Sequence, residues 1–163
     1  MLDTIVHWIR SSAASNWING TVWIWPLCET IHFIGLSLLI GIVGFFDLRL
    51  MGFFRRVPID AARELMPFAI AGFVMNLVSG LVFLTGLPEQ YAHNTSWWLK
   101  VAFLVLAGAN AMIYESRLSS RALALKPGED TPPAIKLVGA VSLLSWFGVL
   151  YWGRMLPFIG NAF

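Results

Sequence analysis

The chain has 163 residues, of which 58% are hydrophobic and only 12% charged, with a formal charge of +2. Soluble domains carry roughly 25% charged residues and the mean hydropathy here is +0.72, so an ordinary soluble domain is excluded. A nucleic-acid-binding surface, which needs Lys and Arg clustered on a soluble face, is excluded too, and the lone Cys28 rules out a disulfide within the chain.

Residues 2–14 place Leu2, Ile5, Val6, Ile9 and Ala13 on one helical face and Asp3, His7 and Arg10 on the other. This pattern predicts an amphipathic helix lying along a membrane surface, too short to span it. The segment lacks the basic start of a signal peptide, so it is expected to be retained. Four apolar runs follow, at about 22–46, 66–87, 97–114 and 134–156. Each is long enough to cross a hydrocarbon core of roughly 30 Å as a helix. They are too long, and too little alternating, for barrel strands. The predicted fold is therefore an all-α, integral membrane four-helix bundle with an N-terminal amphipathic surface helix, forming one membrane domain.

Lys and Arg divide unevenly between the connections. Arg49, Arg55, Arg56 and Arg63 follow the first span, and Arg117, Arg121, Lys126 and Lys136 follow the third. Only Arg10, Lys100 and Arg154 lie on the opposite side. The positive-inside rule then predicts both basic loops in the cytoplasm and both termini outside, in the periplasm if the cell is Gram-negative.

Ionisable side chains inside a span are functional candidates because they are costly in hydrocarbon. Glu29 and His32 are three apart in the first span, on one helix face. Depth matching places Lys100 near Glu29, so an ion pair between them is expected; a protonated carboxyl, a proton-exchanging group or a ligand-orienting carboxylate are the other readings. His32 is read either as a polar residue bonded to Asn76, a serine or a backbone carbonyl, or as an axial haem ligand. Gly35, Gly80, Gly108 and Gly148 fall near its depth and would leave room for a porphyrin. His93, in the loop before the third span, is the second histidine considered for such a site. Asn76 and Asn110 lie near the midplane and are expected to bond to each other across spans two and three. Asp47 and Arg49 are expected to pair where the first span leaves the membrane. Cys28 is read as a small apolar filler.

The pattern Trp25-Pro26-x-x-Glu29-x-x-His32-x-x-Gly35, followed by Asp47-Leu48-Arg49-Leu50-x-Gly52, resembles the motif of a family of small bacterial four-span membrane proteins. Gly72-Phe73, Gly80-Leu81-x-Phe83, Tyr91, Trp98-x-Lys100 and Asn110 are similar as well, so the resemblance runs from about residue 20 onward. More distantly the chain is similar to membrane b-type cytochromes and copper-resistance D-type proteins. That resemblance implies a cytochrome-b-like, haem-associated redox protein, with haem b as cofactor, His32 as iron ligand and electron transfer as its activity. The alternatives are a non-catalytic accessory or assembly subunit of a larger membrane complex, or a small-molecule or proton pathway through Glu29, His32 and Asn76. The bilayer is the expected partner in every case, with a larger complex or a homo-oligomer as further possibilities.

Overall fold

The computed structural model describes residues 1–159. Among the described residues, nine α-helices and one π-helical turn make up the regular structure, and no strand occurs. Two short helices, α1 (Leu2–Arg10) and α2 (Ala13–Gly20), precede the first long one, α3 (Ile24–Leu50). Then come α4 (Ile59–Arg63), α5 (Met66–Gly86), α6 (Pro88–Ala92), α7 (Thr95–Ile113), the π turn Tyr114–Leu118, α8 (Ser119–Leu123) and α9 (Pro133–Met155). Four helical stretches are long and apolar enough to cross a membrane: Ile24–Leu50, Ile59–Gly86, Thr95–Leu123 and Pro133–Met155. The protein is a polytopic four-helix membrane bundle.

Local chemistry sets the helix ends. Proline opens α5, α6 and α9 within their first two positions, where its missing N–H has no helical partner to lose. Asn94 caps α7 by accepting from Ser96 N at 2.9 Å, while its amide donates to Leu156 O at 2.9 Å and ties the start of α7 to the end of α9. The expected single surface helix is instead two. The chain breaks at Ser11-Ser12, and Ser12 caps α2 by accepting from Ser15 N. Ser15 is fully buried, and Arg10 and Asn19 both donate to Gly86 O, so these helices are docked on the end of α5. Leu2, Ile5, Trp8 and Trp17 face outward as an apolar surface.

The long helices pack in the order α5–α3–α9–α7. The α3–α5 and α7–α9 seams are extensive and α3–α9 is intermediate, whereas α5 and α7 make almost no contact with each other. In lipid no hydrophobic effect drives helices together, so close seams depend on small residues. Gly35 and Gly72 meet backbone to backbone: a Cβ on Gly35 would lie 2.7 Å from Gly72 O. Gly139 does the same for α3–α9, its Cβ position lying 2.8 Å from Asp47 O. Gly148 receives the ring of Phe103 across the α7–α9 seam. The compact apolar clusters sit at the two ends of the bundle. One gathers Phe46, Leu50, Ile59, Tyr114, Ala122 and Ile135; the other gathers Ile18, Ile24 and Cys28. Between them, outward faces carry large exposed apolar residues such as Phe33, Phe68, Val105 and Leu144, as a bilayer-facing surface requires.

Candidate functional site

Because α5 and α7 stay apart, a groove runs along the bundle between them, floored by α3 and α9. Leu39, Phe73, Leu104 and Trp146 form a waist common to both halves. The half toward the chain termini has a volume of about 550 Å³ and the half toward the basic loops about 540 Å³. Both are mainly apolar and partly open at the side. Gly80 faces the first and Gly108 the second, with nothing near the position of an added Cβ on either.

Charge distinguishes the halves. The half near the termini is lined by Lys100 and Arg154, and no acidic side chain lines it among the described residues. Lys100 is half-buried, its Nζ 5.9 Å from the centre of the Trp97 ring and beside Gly153, whose missing side chain leaves the ammonium room. Among the described residues it makes no ion pair. The Arg154 guanidinium stacks on Phe158. The half near the basic loops is lined by Asp47, Arg63 and Glu115, and the last two pair with each other.

The residues singled out from the sequence are only partly brought together. Glu29 is exposed on the outward face of α3 and makes no ion pair among the described residues, so the expected Glu29–Lys100 bridge is absent. The physical reason is rotational: α3 turns Glu29 away from the bundle, while Lys100 points into the groove. His32 lies in the α3–α5 seam, where Nδ1 is 2.8 Å from Ser79 Oγ and the ring tilts against Phe83. Ser79 also donates to Met75 O. A serine partner was one reading of His32; Asn76 instead donates to Gly72 O of its own helix. His93 is held at the surface by Asp3, 2.9 Å away, and does not approach His32.

The asparagines correct a second expectation. Asn110 donates to Val138 O at 3.0 Å, across α7–α9, and does not meet Asn76. At the level of the two asparagines α5 and α7 are separated by the groove, so Asn76 and Asn110 do not meet. Asp47 and Arg49 correct a third. Two residues apart on a helix, they face different ways. Arg49 is fully buried and donates to Val57 O at 2.6 Å and Thr131 Oγ1 at 3.3 Å, binding both basic loops to the bundle. Asp47 points into the groove beside Ser142. The glycine-lined level beside His32 is also revised. Gly35 is closed by Gly72 and Asn76, and Gly148 by Phe103; only Gly80 and Gly108 are open, and they face the groove. His32 lines neither half.

Outside the spans two groups have shifted acidities. Hydrogen bonding to Lys136 holds the Asp130 carboxyl below the usual carboxylate range, opposed by desolvation and assisted by the nearby Arg55 guanidinium. Burial pushes the Tyr91 phenol up to about 12. Asp130 bridges the two basic loops, at 3.1 Å from Arg55 and 2.8 Å from Lys136.

Tyr114, Arg63 and Glu115 were missed as site residues by sequence reasoning. The available signal was spacing: Tyr114 follows Asn110 by four, on the same face of the third span. Comparison with protein-family models, curated proteins and solved structures finds no match to this chain.

Proposed function

We propose that this is a bacterial inner-membrane protein that takes an anionic amphiphile from the bilayer into its lateral groove. Its basic loops face the cytoplasm, and the Lys100 half of the groove lies in the outer leaflet. The observation that carries this reading is a lysine with no anionic partner among the described residues, facing a mainly apolar groove, with Arg154 at the same mouth. An unpaired ammonium at the edge of hydrocarbon is expensive, and an anionic head resolves it with charge-assisted hydrogen bonds. The apolar tail then lies along Leu77, Leu81 and Leu104 toward the waist. This is the small-molecule alternative drawn from the sequence, with Asn76 lining the groove and Lys100 in place of Glu29 and His32.

Trp146 at the waist supplies the test. A nitroxide-labelled stearate should quench tryptophan emission of the protein in phosphatidylcholine nanodiscs, saturably, and Trp146→Phe should remove most of the effect. Lys100→Met should weaken binding about tenfold, which is about 1.4 kcal/mol. Equal binding of the uncharged methyl ester would sink the proposal.

A haem-associated redox role is the second reading. It is supported by His32 alone: Nδ1 is engaged by Ser79, as the second nitrogen of an iron-ligating imidazole usually is. A Soret band lost in His32→Ala would establish it, and a colourless, folded protein from haem-supplied cells would remove it.

A further inference from the structure

The other half of the groove holds two polar side chains that the anion proposal does not use. Asp47 is only 3% exposed and Tyr114 only 8%, and both line this half. One carboxylate oxygen of Asp47, Oδ2, and the Tyr114 hydroxyl have no hydrogen-bond partner. Buried polar atoms are almost always paired, so each orphan requires an explanation. Both residues line this half, so the two orphans lie in the wall of one cavity.

Neighbouring groups define what that is. Asn110 donates its amide to Val138 O, which leaves its carbonyl oxygen as an acceptor, one helical turn from Tyr114. The next residue of α9, Gly139, lies against the backbone of Asp47. The α9 backbone thus brings Asp47 and Asn110 into one neighbourhood. Arg63 and Glu115 also line this half and pair with each other, which leaves Asp47 as its one acidic group without a basic partner among the described residues. Arg49 does not line it, and its Nε and Nη1 donate to the two basic loops. The remaining walls are apolar, among them Phe46, Leu104 and Ala107.

We propose that Asp47, Tyr114 and Asn110 form a second binding site, for the ammonium head of a lipophilic primary amine. An alkylammonium carries three N–H donors. Asp47 Oδ2, the Tyr114 hydroxyl oxygen and the Asn110 carbonyl oxygen are three acceptors, one of them anionic. The alkyl chain occupies the apolar cavity toward the waist. The site is separate from the anion site: Lys100 and Tyr114 are 14 residues apart on the third span, about 21 Å along a helix.

The test is calorimetric titration of the whole protein, in phosphatidylcholine nanodiscs, with octylammonium, octanol and octyltrimethylammonium. Octylammonium should bind saturably and at least about tenfold tighter than either control, since one lacks the charge and the other the N–H donors. Asp47→Asn should weaken octylammonium about tenfold or more, and Tyr114→Phe about threefold, whereas Lys100→Met should leave it unchanged. Equal binding of octanol or octyltrimethylammonium by the unaltered protein overturns the proposal, whatever the variants do. So does a folded Asp47→Asn protein that binds octylammonium unchanged. If Asp47→Asn does not fold, Tyr114→Phe and the three-ligand comparison decide. Loss of stearate binding in Lys100→Met with octylammonium retained separates this site from the anion site.

Discussion

The two halves of the groove have nearly the same volume, at about 550 and 540 Å³, and share one waist. They are built differently. Toward the termini the charges are both positive, come from helix positions near the membrane surface, and have no acidic partner lining that half among the described residues. Toward the basic loops a carboxylate is buried between α3, α7 and α9 while an arginine two residues away is fully buried on the opposite side. Volume alone therefore says little about what a membrane groove holds. The sign of the charge and the number of unsatisfied donors or acceptors decide between a lipid-filled gap and a site.

The contrast is best broken at Arg49. Arg49→Ala removes two hydrogen bonds from a charged donor to the loops, which costs roughly 3 kcal/mol. A drop in the melting temperature of the purified protein, with octylammonium binding lost and stearate binding retained in the surviving folded fraction, is the expected outcome. Loss of both would mean that the halves are not independent. Lys100→Met is expected to come next, with about 1.4 kcal/mol of anion affinity lost and little change in melting temperature.

A smaller effect is expected from pH. Asp130 is held below its ordinary value in the folded protein, so its contribution to stability is fully present above the unfolded carboxylate value, about 3.9. It is lost as pH falls through the lower folded value. Amide exchange at Gly128, which donates to Arg55 O, should accelerate beyond its intrinsic pH dependence below about pH 4, and Asp130→Asn should abolish that step. The smallest effect is expected from Glu29→Gln. Glu29 faces outward, away from both halves, so titrations with stearate and octylammonium should each stay within about twofold of the unaltered protein. A larger change would mean that the outward face of α3 feeds the groove.

Much of the fold was legible in the chain. Long apolar runs bounded by proline, asparagine and charged residues mark the spans because hydrocarbon admits backbone only as satisfied helix or closed barrel. Gly72 of α5 meets Gly35 of α3 backbone to backbone. The site was less legible. Residue spacing places side chains on a helix face, but depth matching treats every pair of helices as neighbours. Glu29 and Lys100 match in depth and still do not meet. Asn76 and Asn110 likewise lie at compatible depth but on helices that a groove separates.

The sequence by itself determined the helical membrane class, the four spans and the two chemically distinct ends, because hydropathy and charge are properties of composition and order. Tertiary structure alone decided that α5 and α7 stand apart, that Asp47 and Arg49 turn in different directions, and that His32 lies against Ser79 in the α3–α5 seam while Lys100 lines the groove. Those outcomes depend on which glycine meets which backbone and on how each helix is rotated about its axis. Neither can be read from a single span.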